Sequence, residues 1–288
     1  FRQGALCALG GIAIQGIHQA KVVPGETIAV IGLGLLGHIT ARILYAYGCD
    51  VIGYDIVDKS LNGTKLKAFI SSNDDNADDI TKSLTKGRGV DKVIITAAAN
   101  SNEPMDLAAA ITRDRGVICM IGVTQMNIDR RPYYEKELTF TIARSYGPGR
   151  YDFNYEEKGI DYPIGYIRFT EGRNIEEFIR LIADKHVDFS DLITHEIDFN
   201  HADKAYEIIT TNKNKEKYIG ILLKYSPNEN KWLNKIINNQ EKSKVNTDKI
   251  SVGLIGAGNF AKNTLLPIME DTGLYNFKGL ATTGGVGT

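Results

Sequence analysis

Three cysteines are few for 288 residues, and Cys7, Cys49 and Cys119 form no C-x-x-C pair. That scarcity excludes a disulfide scaffold and a paired-thiolate zinc motif, and it fits a reducing compartment, so a cytoplasmic protein is expected. No apolar run approaches the ~18 residues of a membrane helix, and no charged-then-apolar leader opens the chain. Charge of one sign is also lacking: Lys and Arg number 34 against 35 Asp and Glu, a formal net charge of −1. No global field would draw the chain to nucleic acid or to an anionic membrane. The five histidines, His18, His38, His186, His195 and His201, have no H-E-x-x-H or other metal-ligand spacing. Each is expected as a surface or capping residue.

What is present is an ordinary globular composition, 43% hydrophobic and 24% charged, long enough for about two domains. Short runs rich in Val and Ile recur at Thr27 to Ile31, Val51 to Tyr54, Ala68 to Ser71, Lys92 to Thr96, Gly116 to Ile121 and Leu138 to Ile142, alternating with helical patterns. Strands that are apolar on both faces and alternate with helices specify an α/β fold with a doubly wound parallel sheet. A domain over residues 1–147, with a leading helix, follows. From Gly147 to Gly172 a Tyr-, Gly- and Pro-rich stretch breaks the pattern. Helical patterns at Ile175 to Asp184 and His201 to Thr211, with strand-like Leu192 to Ile197 and Tyr218 to Leu223, make residues 148–225 a small α+β return segment. Residues 226–248 read as a polar linker with one docked helix carrying Trp232, Leu233, Ile236 and Ile237. Residues 249–288 open a second, incomplete Rossmann unit: a strand, a glycine turn, a helix from Lys262 to Glu270 and a strand near Phe277 to Ala281. The chain opens on Phe1 and stops just after that strand, so a piece of a longer protein is expected.

The chemistry concentrates in G-L-G-L-L-G, Gly32 to Gly37, which follows the first strand directly and opens a helix from Leu35 to Tyr47. In this arrangement Gly32 makes the tight turn, Gly34 admits a pyrophosphate against the backbone, and Gly37 lets helix pack on strand. The helix N-terminal amides at Leu35, Leu36 and Gly37 then hold phosphate. Asp55, ending the second strand at about the expected ~20-residue distance, would accept both ribose hydroxyls and repel a 2′-phosphate, which points to NAD. Its alternative role is to cap a helix starting near Asp58. A second turn, Gly256-x-Gly258-x-x-Ala261, has no acid at the following strand end, so either NAD or NADP is expected there, unless the turn binds nothing. Arg144, Ser145 and Tyr146 stand where the sixth strand leaves the sheet, at the edge where α/β crevices open, so Arg144 is a candidate cofactor or substrate contact, or simply part of a surface turn.

Taken in order, K-V-V-P-G-E-T-I-A-V-I-G-L-G-L-L-G, V-I-G-Y-D, T-A-A-A-N, G-V-I-C-M-I-G and the tail L-I-T-H-E-I-D-F resemble the cofactor half and return segment of a zinc-type medium-chain dehydrogenase/reductase, over Phe1 to Tyr225. The resemblance implies Thr96 and Ala97 near the adenosine, and Gly122 and Val123 beside the nicotinamide. It implies zinc only where a complete protein supplies further ligands, Cys7 or a close neighbour falling at one ligand position. From Lys249, V-G-L-I-G-A-G-N-F-A resembles the start of the glucose-fructose oxidoreductase/inositol dehydrogenase family, and the tandem looks like bacterial bi-domain oxidoreductases that join the two. The implied activity is hydride transfer between a nicotinamide dinucleotide and an alcohol or carbonyl of a sugar- or polyol-like small molecule, in a homodimer paired through Leu138 to Ile142. The missing parts would hold the catalytic residues, leaving this piece to bind cofactor without turnover. Two other readings stay open: a non-catalytic nucleotide sensor, and a zinc-free quinone reductase-like enzyme.

Overall fold

The computed structural model describes residues 2–59, 61, 63–213, 215–225, 249–256 and 258–281. The chain divides into two compact units, Phe1–Ser226 and Pro227–Thr288. The expected linker helix around Trp232 lies outside the described residues.

In the first unit, α1 (Cys7–Gln19) leads into β1 (Thr27–Ile31), α2 (Leu35–Ala46), β2 (Asp50–Asp55), β3 (Ala68–Ser71), α3 (Ala77–Leu84), β4 (Val90–Ile95), α4 (Glu103–Ile111), β5 (Thr112–Met120), a short α5 (Arg130–Glu135) and β6 (Thr139–Ile142). The six strands are parallel and lie in the order β3-β2-β1-β4-β5-β6, the doubly wound arrangement in which the strand order reverses beside β1. Between β2 and β3 the described residues form no helix, so Asp55 has no helix near Asp58 to cap.

Successive residues of β1 serve opposite faces, as pleating requires. Ile28 and Val30 join the core of α1 and α2, whereas Ala29 and Ile31 join that of α4. Each fully buried isoleucine contributes roughly 1.5–3 kcal/mol. The return segment comprises α6 (Phe153–Glu156), α7 (Glu171–Ala183), β7 (Ile193–Asp198), α8 (Ala202–Thr210) and β8 (Gly220–Lys224), with β7 and β8 paired in parallel. Its helix α7 is no separate layer: Phe178 and Leu181 are buried with Ile14 and Ile17 of α1 in one core.

In the second unit β9 (Ile250–Ile255) pairs in parallel with β10 (Tyr275–Ala281). A π-helical turn, Ala261–Leu265, runs into α9 (Leu266–Asp271) between them, completing a strand-helix-strand unit. No helix among the described residues is long and apolar enough to cross a membrane.

Candidate functional site

The glycine turn between β1 and α2 is fixed by backbone crowding. Gly32 has φ +99°, and a Cβ there would meet the Ala97 backbone at 2.7 Å; a Cβ on Gly37 would stand 1.9 Å from the Gly32 carbonyl oxygen. The Gly32 amide donates to Tyr54 O at 2.7 Å, and the Thr96 hydroxyl donates to Gly32 O at 2.6 Å. Strands β1, β2 and β4 therefore hold the turn from both sides. A Cβ on Gly34, by contrast, would meet nothing within 4 Å. That open position, beside first-turn amides that a helix leaves without carbonyl partners, is a cradle for a phosphate.

Asp55 ends β2 beside this cradle and is 7% exposed. Its Oδ2 accepts the Leu33 amide at 2.7 Å, which ties the carboxylate to the turn itself. Lys59 Nζ lies 3.2 and 3.3 Å from its two oxygens. Lys59 belongs to no motif, although its place four residues after Asp55 is a signal that the sequence carries.

His38 corrects an expectation. It is fully buried in α2 rather than a surface or capping residue. Its Nε2–H donates to Lys59 O at 3.1 Å, and its Nδ1 accepts from the Thr64 hydroxyl at 2.9 Å. The Thr64 oxygen in turn accepts from Arg42 Nε, and Arg42 forks onto Asp191 at 2.5 and 2.8 Å. Desolvation first, and the Arg42 charge second, pull the His38 pKa down to about 4, so the ring is neutral at pH 7. This neutral ring pins the segment that carries Lys59.

A cleft of about 370 Å³ brings together Gly32, Gly34, Leu35, Leu36, Gly37, Asp55, Thr96 and Ala97. Lys59, Ser72, Asn73, Ser101 and Glu103 also line it, and no motif marks them in the sequence. Gly122 and Val123 adjoin it through Ala97, whose carbonyl accepts the Val123 amide at 3.0 Å. Arg144 lines a different cleft, beyond β6. Gly256, Gly258 and Ala261 belong to the second unit, where a Cβ on Gly256 or Gly258 would meet nothing within 4 Å. Among the described residues, the first glycine of the second turn thus lacks the close approach that shapes the first turn.

The residues of the first cleft fit a dinucleotide: an open glycine position, unspent amides and a carboxylate at the strand end. They do not fit zinc. Among the described residues no group of three or more His, Cys, Asp or Glu side chains could hold a metal. Cys7 is half-buried at the start of α1, and Cys119 is buried, with desolvation pushing its thiol up to about 12.

Residues 36–159 match the family model for zinc-binding dehydrogenases. The chain is 26% identical over 223 residues to the probable D-xylulose reductase A of Neosartorya fischeri, covering 74% of this chain and 55% of that protein. It is 30% identical over 155 residues to alcohol dehydrogenase 1 of Emericella nidulans, covering 51% and 43%. Among solved structures it is similar to alcohol dehydrogenase TADH from Thermus sp. ATN1, with TM-score 0.61, 18% identity and coverage of 78% and 58%. Galactitol-1-phosphate dehydrogenase from Escherichia coli superposes with TM-score 0.60, at 18% identity and coverage of 73% and 57%. The structural likeness carries the fold. By sequence, the dinucleotide-binding part of this chain is similar to the zinc-binding, alcohol dehydrogenase-like enzymes. The chain spans about half the length of the curated relatives it matches.

Proposed function

We propose that this chain is the cofactor-binding part of a soluble, cytoplasmic NAD-dependent oxidoreductase that moves hydride between the nicotinamide and an alcohol or carbonyl of a sugar- or polyol-like substrate. The observation that carries this reading is the Asp55 carboxylate, bonded to the Leu33 amide of the glycine turn and opening on the same cleft as Gly34. An acid there accepts ribose hydroxyls and disfavours a 2′-phosphate. The cofactor carries the redox chemistry, while Gly32, Gly34, Gly37 and Thr96 orient it. Residues 1–147 and 148–225 correspond, in this reading, to the dinucleotide domain and part of a catalytic domain, and β6 is the edge through which two copies pair. Residues 249–288 are read as the start of a second dinucleotide domain of the glucose-fructose oxidoreductase type, with Gly256, Gly258 and Ala261 at its pyrophosphate. The polyol class is supported by relatives named for D-xylulose and galactitol 1-phosphate.

The test is titration of NADH and NADPH into the chain, followed by nicotinamide fluorescence, with an Asp55→Ala variant alongside. The wild type is expected to bind NADH at least about tenfold more tightly than NADPH, and the variant to lose that preference. Equal binding of both by the wild type would overturn the NAD assignment. Binding of neither would overturn the first cleft as a cofactor site.

A further inference from the structure

Beyond the C-terminal end of β6 a second cleft, of about 640 Å³, opens between α1 and the irregular segment 144–162. The Ala143 amide donates to Met120 O at 2.9 Å, so Arg144 leaves the sheet beside the end of β5. In a doubly wound sheet the second mononucleotide half, here β4-β5-β6, takes the nicotinamide end of the cofactor. This cleft therefore neighbours the place where a hydride acceptor or donor must lie.

The wall is built rather than loose. Ser145, Gly147, Gly149 and Tyr151, alternate residues of one loop, all have positive φ, at 49°, 121°, 105° and 65°. Non-glycine residues hold such conformations only where surroundings over-determine them, and such strain clusters at ligand sites. Here the fully buried Asn174 donates to Tyr146 O at 2.9 Å and to Gln15 Oε1 at 3.3 Å. The Glu171 amide donates to Pro148 O at 2.8 Å, and Glu156 accepts both the Tyr151 amide and the Arg150 guanidinium. A Cβ on Gly147 would meet Asn174 Nδ2 at 2.6 Å.

The wall leaves specific groups unspent. Arg150 is neutralised by Glu156, whereas the Arg144 guanidinium has no hydrogen-bond or carboxylate partner among the described residues; both guanidiniums lie over the Tyr151 ring, 4.1 and 4.6 Å from its centre respectively. The Gln15 oxygen is taken by Asn174, which leaves its amide N–H groups to donate. The Gln19 nitrogen donates to Thr141, which leaves its carbonyl to accept. Asp152 is occupied by the Asn154 amide and the Tyr162 hydroxyl.

One stacked, unpaired cation, one amide donor, one amide acceptor and an aromatic face suit a small polyhydroxylated molecule with a single anionic group, a phosphate or a carboxylate. We propose that this cleft is the substrate subsite of the oxidoreductase, and that Arg144 holds the anionic end of a phosphorylated or carboxylated polyol. The proposal rests on the dehydrogenase reading above and narrows its substrate class.

D-sorbitol 6-phosphate, D-gluconate and D-sorbitol, titrated calorimetrically into the chain, test it, with NADH binding measured on the same samples. At least one anionic probe is expected to bind about tenfold or more tightly than D-sorbitol, because a guanidinium forms charge-assisted bonds with either group. The tighter of the two names the phosphate or the carboxylate. Arg144→Met is expected to abolish the preference in a protein that still binds NADH, Arg144→Lys to retain part of it, and Gln19→Glu, which adds negative charge to the cleft, to weaken it. Equal binding of all three probes, no binding of any, or a preference that survives Arg144→Met would overturn the assignment while NADH still binds. Loss of NADH binding in the wild type would instead strike the dehydrogenase reading.

Discussion

His38 is the residue whose state matters most beyond the cleft itself. The folded protein keeps it neutral, with a pKa of about 4 against 6.5 for the free side chain. An unfolded chain therefore takes up this proton first as pH falls. The stability attached to the neutral ring is complete above about pH 6.5, is lost progressively towards pH 4, and amounts to about 3 kcal/mol. Urea midpoints measured across that window are expected to fall with pH in the wild type, and a His38→Gln variant to flatten the slope. An unchanged slope in the variant would assign the acid sensitivity to other groups. In the folded protein the ring itself protonates only near pH 4, where Nδ1 can no longer accept the Thr64 hydroxyl, so NADH affinity is expected to hold through most of this window and to fall only as pH approaches 4.

At the scale of elements, the crossing of α2 over β1 separates packing from binding. Gly37 faces the Gly32 carbonyl with no room for a methyl group, and both sides are backbone. Gly37→Ala is expected to lower unfolding stability by about 1–3 kcal/mol, as overpacking does, and to weaken NADH binding with it. Gly34→Ala should behave differently: the new methyl meets no protein atom, so stability shifts by under about 1 kcal/mol, but it occupies the pyrophosphate's approach and abolishes tight NADH binding. Urea unfolding and nicotinamide fluorescence on both variants check the contrast. If Gly34→Ala bound NADH normally, the turn would be only structural.

For the whole molecule, the strand order leaves β6 at one edge of the six-stranded sheet, with Ile142 52% exposed. An uncovered parallel edge invites pairing, which natural proteins either block or use. Light scattering is expected to give twice the chain mass of 31.8 kDa, and replacing Ile142 by proline, which removes a donor from the open edge rather than from the ladder with β5, to give the monomer. A monomeric wild type would overturn pairing through β6.

Much of this molecule was legible in one dimension. The alternation of apolar runs with helical patterns located all six strands, because burial on both faces demands continuous Val and Ile, and the glycine spacing marked the turn, because only glycine tolerates its backbone. Local pattern also misjudged an edge: β5 begins at Thr112 rather than Gly116, since its first residues are polar and owe their strand conformation to pairing with Val90. Tertiary structure alone decided the rest. The bond from the Leu33 amide to Asp55 spans 22 residues, the burial of His38 depends on Thr64 and Lys59 folding back over α2, and α7 joins the first core through Phe178. Arg144 likewise gains its meaning from Gln15 and Gln19, which the fold brings to its cleft from distant positions. Periodicity and turn chemistry are properties of neighbouring residues and can be read along the chain. Which polar groups meet, and which are left without a partner, depends on surfaces that exist only once the elements have packed.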